Sequence, residues 1–280
     1  MKMIFFGTRG LGAKVLEHLL RNGYSPTLVV TGPDKPAGRK QELTPSPVKK
    51  VAQEHNLSLT QPERPAELLS RSELKEAEFI VLAAYGNILP KELVGLPPKG
   101  ALNVHPSLLP LYRGPSPERS ALLNGDEKTG VTVIVMDEKV DHGPILAQEE
   151  FVIPEDMRHE ELHAKLGEIG GELLVKTLPL WLEGKIEPKE QDHTKATYTK
   201  KLTREDGRID WKKPAEYIER QVRALNPWPG TFTTFEGKRL KILKAHIEQG
   251  TLIIDELQLE GKKPTTYREF LLGHKDFTLP

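Results

Sequence analysis

The chain has 280 residues, enough for one large domain or two smaller ones with a sizeable core. Its 40 Lys and Arg balance its 40 Asp and Glu, so no global field selects a nucleic acid or a membrane surface. It has no cysteine, which excludes disulfides and thiolate metal sites and fits a reducing compartment.

The opening MKMIFFGTRG is apolar for too few residues to serve as a secretory leader, and no apolar run approaches the roughly 20 residues of a membrane span. A soluble, cytoplasmic protein is expected. KMIFF predicts a first strand, and GAKVLEHLLRNG a helix that stops at Gly23. TLVVTGP reads as a second strand. SPVKKVAQEHN reads as a helix with Ser46 as N-cap and Pro47 in its first turn. AEFIVLAA and GALNVH predict a third and a fourth strand, and GVTVIVMD and ILAQEEFVI two more. SPERSALLNG is a second Ser-Pro helix start. Residues 158–184 predict one long helix, bent near Gly170 and Gly171. The alternation argues for a Rossmann-like, doubly wound α/β domain over residues 1–185.

Residues 186–203 are polar and aperiodic and read as a linker. PAEYIERQVRAL is a helix, followed by the strand-like runs TFTTFEG, RLKILKAHI and TLIIDELQLEG. Residues 204–280 are therefore expected to form a small, mostly β domain. From residue 195 onward there are 17 Lys and Arg against 12 Asp and Glu, a mild excess that permits a polyanionic partner. The tail PTTYREFLLGHKDFTLP is apolar enough to dock on that domain's sheet, through Phe270 and Leu271 above all.

Two motifs fail. Gly7, Gly10 and Gly12 are spaced G-x-x-G-x-G rather than G-x-G-x-x-G, so a tight strand-to-helix turn is a better reading than dinucleotide binding. His159 and His163 form an i, i+4 pair, but no third ligand is evident and the helix around them looks ordinary.

One constellation holds. Asn103 and His105 are two apart at the end of a predicted strand, so their side chains share a face. Ligands of open α/β sheets lie beyond such strand ends. Pro106 stops the ladder. Asp141, in the turn before His142-Gly143-Pro144, is a plausible third member that could orient His105. An Asn donor, a His and an Asp suit attack of an amine on a carbonyl.

LNVHPSLLPLYRGPSP, followed by NGDEKTGVTVIVMDEKVDHGPIL, resembles the folate-dependent formyltransferases. These carry N-x-H, then S-L-L-P, then a D-x-G turn. The resemblance implies catalytic roles for Asn103, His105 and Asp141. It implies 10-formyltetrahydrofolate as cosubstrate and no metal. Folate contacts would come from Ser107, Leu108, Leu109 and Pro110, and from Tyr85, Gly86, Asn87, Ile88 and Leu89 in the loop AAYGNILP.

GPDKPAGRKQELTPSPVKKVA resembles the basic loop of the branch that formylates methionyl-initiator tRNA, and YTKKLTREDGRIDW through RALNPWPG resembles that branch's C-terminal region. Lys35, Arg39 and Lys40 would then contact tRNA, with Lys49 and Lys50 nearby on the helix. A monomer acting on tRNA and folate, away from membranes, is expected. The start GTRGLGA departs from the family pattern and is closer to the branch that formylates amino sugars on nucleotides, which is the alternative. A non-catalytic nucleic-acid-binding protein is a weaker one. The C-terminal domain is short for the family's β-barrel, and a reduced OB-like barrel is expected.

Overall fold

The computed structural model describes residues 1–37, 42–275, 277 and 278. Its elements in chain order are β1 (Met3–Gly7), α1 (Gly10–Arg21), β2 (Leu28–Val30), β3 (Lys35–Ala37), β4 (Glu42–Thr44), α2 (Pro47–Glu54) and β5 (Leu59–Thr60). Then come α3 (Ser72–Lys75), β6 (Phe79–Ala83), α4 (Lys91–Val94), β7 (Ala101–His105), α5 (Pro117–Asn124), β8 (Lys128–Val135), β9 (Ile145–Val152) and α6 (His159–Leu182). The last are α7 (Ala215–Leu225), β10 (Phe232–Phe235), β11 (Lys238–Glu248), β12 (Thr251–Leu259), β13 (Thr265–Thr266) and α8 (Tyr267–Gly273). No helix among the described residues is long and apolar enough to cross a membrane.

The chain forms two compact units that do not follow a single cut. One comprises residues 1–115, 128–152 and 162–199; the other comprises 116–127, 153–161 and 200–280. The sequence reading has one division, a linker at 186–203. It missed that α5, with its Ser-Pro start, packs on α7 inside the second unit.

The first unit holds a seven-stranded sheet in the order β5-β2-β1-β6-β7-β8-β9. The five strands from β5 to β7 are parallel, and β8 and β9 are antiparallel additions. Strand order reverses between β1 and β6, as in a Rossmann half. β5 is only two residues long, and the hairpin β3–β4 carries Pro36 and charge, so neither shows a strand period. Ile4, Phe6, Leu28, Val30, Leu74, Ile80 and Leu93 build one core cluster.

The glycines of GTRGLGA have a packing role. A Cβ on Gly12 would lie 2.4 Å from the Ala83 carbonyl, so glycine lets α1 approach the end of β6. Gly170, expected at a bend, lies inside continuous α6, where a Cβ would meet Val104 at 2.7 Å. Small side chains there seat the helix on β7.

The second unit contains an antiparallel sheet, β10-β11-β12-β13, around a core of Ile218, Val222, Leu240, Ile242, Ile254, Leu257, Phe270 and Phe277. It is an open sheet and no pairing joins β10 to β13 among the described residues, so the expected barrel reduces to four strands. α8 starts with a capping box, Thr266 with Glu269, and ends at Gly273.

Asp206 caps the short turn Arg204–Gly207. It accepts from the Thr203 amide at 2.7 Å and from the Lys200 ammonium. The Lys200 hydrogen bond is the main reason its carboxyl is held down to about 2, from an ordinary 3.8. Because the folded value is the lower one, its stabilisation is complete above about pH 4 and is lost as pH falls towards 2. Asp206→Asn is therefore expected to cost about 1 kcal/mol at neutral pH, the usual scale of a lost cap. The gap between the variant's and the parent's melting temperatures should close as pH drops from 4 to 2.

Candidate active site

β7 carries Asn103 in its interior, paired with Leu82 and Ile134, and ends on His105 opposite Thr132. Both side chains are buried. Asp141 comes from the loop between β8 and β9. That loop leaves the sheet beside the start of β7, where the Met136 amide donates to the Ala101 carbonyl. It folds back to bring Asp141 onto Asn103. The three side chains meet along β7, with only His105 at its end.

The Asp141 carboxylate is held from three sides. Asn103 Nδ2 donates to Oδ1 at 3.1 Å, and the Gly114 amide donates to Oδ2 at 2.7 Å. His105 Nδ1 lies 3.5 Å from Oδ1. The other ring nitrogen, Nε2, donates to the Tyr112 carbonyl at 3.0 Å. A carbonyl only accepts, so Nε2 carries a proton here and Nδ1 is the nitrogen that faces Asp141. Gly114 has φ +108, and a Cβ there would sit 2.8 Å from the Thr199 carbonyl, so only glycine presents its amide in this way.

The Ser107–Pro110 turn is rigid and largely self-satisfied. The Thr132 hydroxyl donates to the Ser107 carbonyl at 2.6 Å and accepts from the Leu109 amide at 3.1 Å. Gln148 Nε2 donates to the Leu109 carbonyl at 3.0 Å. The Leu109–Pro110 peptide is cis. Ser107 and Leu109 are buried, Leu108 and Pro110 half-buried, and Leu111 exposed. In the neighbouring loop after β6, Tyr85 and Leu89 turn into the core, Tyr85 edge-on to Phe6 at 5.3 Å. Burial pushes the Tyr85 phenol up from its ordinary value. The accessible part of that loop is Gly86, Asn87 and Ile88, with Ile88 80% exposed. Of the nine residues read as folate contacts, Ser107, Leu109, Tyr85 and Leu89 have buried side chains.

Lys35 is exposed on β3, whereas Arg39 and Lys40 lie outside the described residues. Lys49 is not a free cation. Its ammonium donates to Asp34 at 2.6 Å and to Gln61 at 2.8 Å, and that bond holds the Asp34 carboxyl below the usual range. The paired histidines are engaged as well. His163 Nε2 accepts from the Leu11 amide at 3.0 Å, and His159 Nε2 lies 2.8 Å from Arg119 Nη1.

Sequence reasoning missed the segment read as a linker. Its Gln191 is buried against Arg113 and the Asp141 loop. No periodic signal marks such a residue, because its bonds are single contacts to loops far away in the chain.

Residues 1–178 match the model of the formyl transferase family, and residues 201–251 match that of the formyl transferase C-terminal domain. The chain belongs to the formyl transferase family. Its relatives include the methionyl-tRNA formyltransferase of Chloroflexus aurantiacus, 47% identical over 249 residues that cover 88% of this chain and 80% of that one. That of Roseiflexus castenholzii is 41% identical over 301 residues, covering 98% and 96%. Among solved structures, an N-formyltransferase from Helicobacter canadensis in complex with folinic acid and dTDP-3-aminofucose superposes with a TM-score of 0.69. The alignment covers 95% of this chain and 98% of that one at 20% identity, a likeness of fold.

Proposed function

We propose that this chain transfers a formyl group from 10-formyltetrahydrofolate to the amino group of methionine on initiator tRNA. The observation that carries the reading is the convergence of Asn103, His105 and Asp141 along β7. Bound there, the donor supplies an electrophilic formyl carbon and a leaving amine. Asn103 spends one N–H on Asp141, and its second can stabilise an oxygen that gains negative charge. His105 offers Nδ1 as a second donor when protonated. Asp141 accepts the proton shed by the incoming amine, directly or by way of His105.

Leu108, Pro110, Leu111 and Ile88 form the apolar, solvent-reaching surfaces after two adjacent strands, β7 and β6. A flat, heteroatom-rich ring suits such walls, and Gly86 and Asn87 offer polar atoms beside them. The methionyl-tRNA acceptor is supported by relatives of 41–47% identity across most of the chain. Purified protein given 10-formyltetrahydrofolate and methionyl-initiator tRNA should formylate the tRNA. Formylation of an amino-sugar nucleotide in its place would transfer the reading to that acceptor.

On this reading Lys35, Arg39 and Lys40 contact the tRNA backbone. Arg39→Ala is expected to weaken tRNA use several-fold and to flatten its salt dependence, with folate affinity unchanged. Titrating formylation against salt for both proteins tests this. An unaltered salt slope would count against the contact.

A further inference from the structure

Residues 189–199 are bound tightly to the site. Lys189 and Ile145 exchange both backbone bonds, at 2.7 and 2.8 Å. The Arg113 amide donates to the Thr197 carbonyl and the Thr199 amide to the Arg113 carbonyl, at 2.9 and 2.8 Å. The segment therefore joins two loops, one carrying Asp141 and the other running from His105 to Gly114.

Gln191 is the side chain that reaches both. It is 4% exposed. Its Oε1 accepts from Arg113 Nη2 at 2.6 Å and Nε at 3.2 Å. Its Nε2 donates to the carbonyl of Asp141 at 3.0 Å and to that of Gly143 at 2.7 Å. Two donors and two acceptors are thus all used. Arg113 is 1% exposed, and among the described residues it also bonds His193 Nδ1 and the Tyr198 hydroxyl. Its two neighbours in the chain do the holding at the site. Tyr112 accepts from His105, and Gly114 donates to Asp141. Asp141 itself has φ +49, which a residue with a Cβ keeps only when its surroundings enforce it.

We propose that Gln191 is a positioning residue for formyl transfer, clamping the Asp141 backbone against Arg113 and so setting the distance between Asp141 and His105. The inference rests on the formyl-transfer reading above. Neither Gln191 nor Arg113 touches the reacting atoms. Misplacement of a catalytic group by about 1 Å can cost roughly 100-fold in rate.

The test uses the full chain with Gln191→Glu. A carboxylate still accepts from Arg113 but has no N–H for the two carbonyls. The expected result is kcat lower by about 10- to 100-fold, with KM for donor and tRNA within about twofold and melting no lower than the parent. The 15N signals of the His105 ring, read in the protein without substrates, should also move. Gln191→Asn, which withdraws the amide by one methylene, provides the same readouts if the glutamate does not fold. A folded variant with parental kcat and unmoved His105 signals overturns the proposal. So does a lower melting temperature with parental kcat, which marks a purely structural residue. A parent protein that formylates neither tRNA nor an amino-sugar nucleotide would instead overturn the functional reading, and the His105 signals would still decide on the clamp.

Discussion

Asp141→Asn is expected to lower turnover by roughly 100- to 10,000-fold, the usual range for a group that moves a proton in the transition state. The geometry explains why an isosteric change is so damaging. Asp141 presents two acceptors, one to Asn103 and one to the Gly114 amide. An asparagine has a single oxygen, so its NH2 must face one of those donors. The variant therefore loses a hydrogen bond as well as the atom that takes the proton. The proposed folate surfaces, Leu108, Pro110 and Ile88, are untouched, so folate affinity should stay within about twofold. Steady-state kinetics with a separate folate titration checks both halves. Activity within threefold of the parent would remove Asp141 from the chemistry.

The second large effect concerns the C-terminal tail. Ending the chain at Lys263 removes β13, α8 and Phe277. Phe270 and Phe277 are buried among Phe235, Leu257 and Ile254, and their rings meet edge-on at 5.2 Å. Burying two phenylalanines contributes roughly 3 to 6 kcal/mol, a large part of what a small unit has. The cut also bares the edge of β12 where Glu256 and Leu257 pair with Thr266 and Thr265. The second unit of the trimmed protein should become protease-sensitive and tRNA formylation should fail, while folate binding survives. Melting and tRNA formylation like those of the full chain would show that the tail has no such role.

These effects were legible to different degrees. Asn103 and His105 could be read because a two-residue period places them on one face, and Asp141 because its turn completes a recognisable set. The tail's helix was legible from its Gly stop and apolar spacing. The depth of each contact was not: Phe270 and Phe277 are buried in the core, while Leu271 packs against it only partly buried, because depth depends on the shape of the far surface rather than on spacing along the chain. Lys49 looked like a free cation until its bond to Asp34 was visible. Gln191 gave no signal at all, since a lone buried amide has no period and no motif.

The bond between Arg113 and Gln191 spans 78 residues of sequence. During synthesis, Asn103, His105 and Asp141 emerge well before the residues that hold their loops in place. Domains generally fold as units while the chain is being made, and contacts this distant in sequence are the slow ones to form. A nascent chain that stops short of residue 199 carries all three side chains without their frame. On the proposed role of Gln191, the arrangement of Asn103, His105 and Asp141 is complete only once residues 189–199 have been made.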